Sequence, residues 1–287
     1  MRLKLKQLRL PGPRLNRASF FVLITNIIFL IFTSQIYSAL PSPIKIDARE
    51  GVDSAQVKNI TLAINDTVQF FSDKYQLVLK NRMLIILVPD EKTYASVLQK
   101  DFGHPPAKAK KLARISGGIA KDAKGQYMMA VKAYKSKTSV MRYICHEMVH
   151  WYQLQVEAKK APQIKWLHEG AANVIAYYII DQNKKGYLQK SREGCLKTIK
   201  NANSVPSLRQ LYSRNDWTTA MMGKYGSKVI YAKATLAVLT LAQQKGYEQV
   251  FRYFLNLKKH NHAQAFELTF GLNLHEFEKE MDQKFGK

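Results

Sequence analysis

The sequence predicts an α+β fold: a small mixed β-sheet with helices, followed by a mainly helical C-terminal lobe. Three observations predict it. Apolar runs of strand length lie in the first half of the chain, at 83–88, 115–120 and 126–132. From about residue 138 onward, apolar side chains recur at helical period over long segments. Strands gathered ahead of helices are the element order of an α+β domain.

Taken in order, residues 54–75 space Val57, Ile60, Leu62, Ile64, Val68 and Phe71 at a helical period. Residues 83–88 form a continuous apolar run closed by Pro89, the pattern of a buried strand. A short helix is expected at 91–101, then a basic connector at 104–114 (HPPAKAKKLAR). Two strands, 115–120 and 126–132, flank Lys121-Asp122-Ala123-Lys124-Gly125, a hairpin signal. Gly117 and Gly118 suit close backbone approach there, or a plain bend. A helix follows at 138–157, with Ser136 or Thr138 to cap it. Its Val140, Ile144, Met148 and Trp151 make one apolar stripe. Further helices are expected at 166–182, 187–202, 227–245, 247–258 and 274–285. No internal repeat or low-complexity linker interrupts them.

Residues 1–40 stand apart. Arg2, Lys4, Lys6, Arg9, Arg14 and Arg17 precede an uncharged, mostly apolar run at 19–40. This is an export signal, about long enough to span a bilayer if uncleaved. The upstream cations would hold the N-terminus in the cytoplasm. Ala39 offers a cleavage position, while Tyr37 is bulky where a small residue is preferred, so signal peptide and signal anchor both stay open. Either way residues 41–287 form one domain outside the cytoplasmic membrane. Removing the six N-terminal cations from the net charge of +24 leaves +18 on residues 40–287. Such a surface favours anionic neighbours, among them phospholipid head groups and acidic envelope polymers. No nucleic-acid motif accompanies the charge. Cys145 and Cys195 could pair in an exported domain or remain two buried thiols. Cys145 points about 100° away from His146 around the helix and reads as core-facing.

The chemistry is concentrated in His146-Glu147-Met148-Val149-His150 and, farther on, Trp166-Leu167-His168-Glu169-Gly170. Residues i and i+4 of a helix share a face, so His146 and His150 can hold one metal ion together. Glu147 sits beside them as a general base toward a metal-bound water. A catalytic zinc takes three protein ligands and keeps one open position. Glu169 is the candidate third ligand. Asn173, one turn later, could orient that carboxylate. His168 diverges from Glu169 by about 100° and reads as a surface or supporting histidine, not a ligand.

This pattern resembles the gluzincin metallopeptidases. His146, Glu147, His150 and Glu169 match that family's H-E-x-x-H and distal Glu, and Trp166, Leu167, Gly170 and Ala172 match its residues around the third ligand. Residues 265–272 with Phe277 look like the end of its small bacterial peptidase-MA-like domains. The resemblance implies a zincin-like fold, Zn2+ as cofactor and hydrolysis of a peptide or protein substrate. It also implies a Tyr or His that stabilises the oxyanion, with Tyr231 in first place and Tyr225 in second. The Gly-x-Met-x-Asn element of the aminopeptidase branch is absent, which favours endopeptidase over aminopeptidase action. An exposed sheet edge ahead of the metal helix would take an extended peptide as an added strand. Two alternatives stand beside this reading: a non-catalytic, envelope-anchored binding protein with a structural or degenerate metal site, and a cell-wall peptide amidase using the same residues.

Overall fold

A computed structural model describes residues 43–123, 126–157 and 163–286. The expected signal segment lies outside the described residues. No described helix is long and apolar enough to cross a membrane. The described chain is α+β, as its sequence predicts. Four strands, β1 (Ile44–Ala48), β2 (Arg82–Val88), β3 (Gly118–Ala123) and β4 (Gln126–Lys132), form one sheet in the order β1-β2-β4-β3. β1 and β4 both run parallel to β2, and β3 is antiparallel to β4. The sheet is therefore mixed, with β3 at one edge.

Helices cover both faces of this sheet. α1 (Ser54–Tyr75) and the metal-motif helix α4 (Lys137–Val156) pack on one side; α2 (Glu91–Lys100) and α3 (Pro106–Ile115) pack on the other. Strand periodicity divides the side chains accordingly. Met83, Ile85, Leu87, Met129 and Val131 enter the large core under α1 and α4, while Ile86, Val88 and Ala130 meet α2 and α3. Burial on both faces is why β2 reads as an unbroken apolar run. The caps are local and polar. Asp53 accepts from the Ala55 amide at 3.0 Å, Asp90 from Thr93 at 2.7 Å, and Ser136 from Ser139 at 3.4 Å, starting α1, α2 and α4.

Two expectations for this half change. The connector at 104–114 is largely helix α3, started by Pro106 in its first turn. Among its described side chains Ala109 and Ala113, one turn apart, are buried, and the cations around them mask the periodicity. The first hairpin strand runs Gly118–Ala123, later than expected, and the tip at 124–125 lies outside the described residues. The glycines also separate. A Cβ on Gly118 would overlap the Tyr143 ring, whereas Gly117 has open space around it.

The second half is helical: α5 (Lys165–Asn183), α6 (Tyr187–Asn201), α7 (Arg214–Met222), α8 (Gly226–Lys245), α9 (Tyr247–Asn256), α10 (His262–Phe270) and α11 (Leu274–Phe285), with a 3-10 turn at Leu208–Leu211. α5 buries 14 of its 19 residues, so it is a core helix enclosed on all sides. α8 crosses it closely, because Gly170 lets the Ala234 carbonyl approach: a Cβ there would lie 2.5 Å from that oxygen. Cys145 is buried and Cys195 half-buried, and both are free thiols. Burial raises their pKa values to about 12 and about 11.

α11 anchors this lobe through charges placed in the core. Lys233 of α8 is fully buried, and its ammonium reaches the Met281 carbonyl and Asp282, each at 2.9 Å. Trp166 Nε1 donates to the buried Glu278 at 3.1 Å, and His275 meets the other oxygen at 3.2 Å. Burial raises the Glu278 pKa, with His275 and Trp166 opposing it in part. A raised carboxyl pKa favours the protonated form in the folded state. This group's contribution to stability is therefore full below its unfolded pKa and is lost as pH climbs through the folded value. Glu278→Gln keeps an acceptor for Trp166 but removes the buried charge. Its stability relative to wild type is expected to improve as pH climbs from the ordinary carboxylate range through the raised value in urea melts; a pH-independent difference would refute the assignment.

Candidate metal centre

α4 and α5 are consecutive helices, and their facing sides bring together the residues that the sequence singles out. His146 and His150, one turn apart on α4, point their Nε2 atoms at each other across 3.1 Å. Glu169 of α5 places Oε2 at 3.3 Å from His150 Nε2 and 3.4 Å from His146 Nε2. The three atoms form a nearly equilateral triangle in a largely buried position. Tetrahedral ligands at about 2.0–2.1 Å from one zinc ion would stand about 3.3–3.4 Å apart. The observed edges fit that requirement, and among the described residues this trio is the one cluster of His, Cys and acidic side chains able to hold a metal ion.

The surrounding hydrogen bonds fix which ring nitrogen faces the triangle. Gln153 is buried, and its amide nitrogen donates to the His168 carbonyl at 3.3 Å, so its oxygen must point the other way. That oxygen lies 2.7 Å from His150 Nδ1, which is therefore the protonated nitrogen. Asn173 does the same for His146: Oδ1 is 3.0 Å from Nδ1, and Nδ2 donates to Thr235 of α8 at 3.0 Å. With both Nδ1 atoms engaged as donors, Nε2 is the nitrogen of each ring left to face Glu169, and it is the atom that would bind a metal ion on losing its proton. Asn173 thus orients a histidine and not, as its place after Glu169 suggests, the carboxylate.

Electrostatics follow the same geometry. Burial opposes charge on both partners, yet the ion pair prevails. Glu169 is held well below the usual carboxylate range by His150, His146 and Lys165, and His150 is pushed up to about 9 by Glu169 and Glu147. Lys165, at the start of α5, contacts Glu169 Oε1 at 2.6 Å.

Glu147 faces a ring of tyrosines. Tyr127 of β4 donates to its Oε2 at 3.3 Å. Tyr143, one turn earlier on α4, is close enough that Glu147, together with burial, raises its pKa well above normal. Tyr231 lies on α8 with its ring 6.5 Å from that of His146 and edge-on to Trp217 at 5.0 Å. Burial and the Glu169 and Glu147 carboxylates hold its hydroxyl protonated far into the alkaline range. Tyr225, the second choice, instead donates to Gln210 at 3.3 Å. His168 is buried and not at the surface: Nε2 is 3.0 Å from Glu157, and its ring packs edge-on to Phe254.

Sequence reasoning missed Gln153, Lys165, Tyr127 and Tyr143. Three of them carried a usable signal. Gln153 stands three residues after His150, Lys165 four before Glu169, and Tyr143 four before Glu147, all spacings that share a helix face. Tyr127 needed the sheet register. Comparison of the chain with protein families and with curated proteins finds no match.

Proposed function

We propose that this chain is a zinc-dependent metallopeptidase of gluzincin type, acting on peptide bonds outside the cytoplasmic membrane. One observation carries the reading: the triangle of His146, His150 and Glu169 donor atoms, with the uncoordinated Glu147 on the same helix turn. A structural site has no need of that extra carboxylate, and a structural zinc is enclosed by four protein ligands rather than three.

Bound zinc would supply a Lewis acid and a lowered pKa for the attacking water. Every other role falls to the chain. Tyr127 holds Oε2 of Glu147, and this carboxylate takes the proton of the attacking water and delivers it to the leaving amine. Tyr231, held neutral, donates to the oxyanion as it develops. The outer side of β3 pairs with no described strand and would take an extended substrate by main-chain hydrogen bonds.

Metal content of the purified full-length chain, measured by mass spectrometry under native conditions, tests the reading. Wild type is expected to carry about one zinc per chain and Glu169→Ala, which removes one of the three donor residues, to lose it. Folded wild type that takes up no zinc would displace the enzyme in favour of an envelope-binding protein with a degenerate site.

A further inference from the structure

The two oxygens of Glu169 have different partners. Oε2 closes the triangle with the histidines, while Oε1 is held by the Lys165 ammonium at 2.6 Å. The lysine is partly covered, with 17% of its side chain exposed, and the carboxylate is almost wholly so at 8%. Its main chain is fixed as well, since the Lys165 amide donates to the Tyr212 carbonyl at 2.6 Å.

Helix physics gives no local reason for a lysine at this position. Lys165 is the first residue of α5, where the helix dipole presents its positive end. The order Lys then Glu at i,i+4 is also the weaker orientation of such a pair. A cation kept against both preferences, and pressed onto one oxygen of a buried candidate ligand, serves that ligand and not the helix.

We infer that Lys165 is a positioning residue that makes Glu169 a one-oxygen ligand. The inference rests on the metal reading above and adds to it. By occupying Oε1, the ammonium prevents the carboxylate from offering both oxygens to the ion. The protein then supplies three donor atoms, and the remaining positions stay available to water and a substrate carbonyl. The ammonium also offsets the carboxylate's charge, so the ligand set as a whole is close to neutral and the ion keeps more of its polarising power.

The test uses the full-length chain loaded with Co2+ in place of zinc, comparing wild type, Lys165→Met, Lys165→Arg and Glu169→Ala. Wild type is expected to show the intense visible bands of a four-coordinate ion. Lys165→Met should weaken those bands toward the fainter spectrum of a five- or six-coordinate ion and lower Co2+ affinity about 10–100-fold. Lys165→Arg, which keeps the charge, should restore most of both. The variants are compared where metal-free circular dichroism matches wild type, and Lys165→Gln replaces Lys165→Met if the latter does not fold. Wild-type binding with unchanged spectrum and affinity in the uncharged variants overturns the role of Lys165 alone. Absence of Co2+ and Zn2+ binding in folded wild type overturns it together with the metallopeptidase reading.

Discussion

Glu147→Gln is expected to cut peptide hydrolysis by about 10²–10⁴-fold while leaving metal content at the wild-type level. The carboxylate stands outside the triangle of donor atoms, so its loss removes no ligand. The amide has the same size, and its carbonyl oxygen still accepts from Tyr127, so the β4–α4 contact survives. What disappears is the ability to take and return a proton. General acid–base catalysis contributes about 10²–10⁴-fold, and kcat/KM should fall by that factor, about 3–5 kcal/mol of transition-state stabilisation. The measurement is hydrolysis of a fluorogenic peptide library by wild type and variant at matched metal loading. Equal rates for the two proteins would remove Glu147 from the mechanism.

Gly170→Ala is expected to destabilise the fold, although local helix propensity argues the opposite. In an isolated helix the alanine would gain about 1 kcal/mol. Here the new methyl would lie 2.5 Å from the Ala234 carbonyl oxygen and 2.6 Å from a Val238 methyl. A backbone oxygen cannot rotate away, so α5 and α8 must separate. Overpacking costs of order 1–3 kcal/mol, and more where backbone has to move, outweigh the propensity gain. The expected net loss is about 2 kcal/mol, a fall in Tm of about 4–8 °C for a domain of this size. The same separation pulls Thr235 from Asn173 and Tyr231 from Glu169, so metal affinity should fall with stability. An unchanged or raised Tm in a differential scanning calorimetry comparison would show that the crossing is loose.

The parts of the molecule legible in the sequence are those whose signals are local. His146, Glu147 and His150 sit within one and a half helical turns, so spacing alone defines their face. The buried stripe of Val140, Ile144, Met148 and Trp151 was likewise periodic enough to place α4 within a residue of its bounds. β1 escaped notice because it is a five-residue edge strand whose sequence, IKIDA, alternates with charges. α7 and α10 escaped because each is nine residues long, with few buried positions. The partners of the site were harder still. Asn173 lies 27 residues from His146, and Thr235 another 62 beyond; no local pattern links them. Only the crossing of α5 and α8 brings them into one hydrogen-bonded chain.

The enclosed character of α5 has a consequence in time. A chain synthesised from its N-terminus completes this helix about 60 residues before α8 is finished, roughly 3–12 s at ordinary elongation rates. For that interval a helix that is mostly buried in the finished fold has no α8 to cover it, and Trp166 waits longer still for Glu278. The nascent domain therefore passes through a stage in which α4 and α5 exist while the walls that orient their facing side chains do not. A truncation ahead of α8 would hold the chain at that stage and leave Asn173 without Thr235, with His146, His150 and Glu169 all still present.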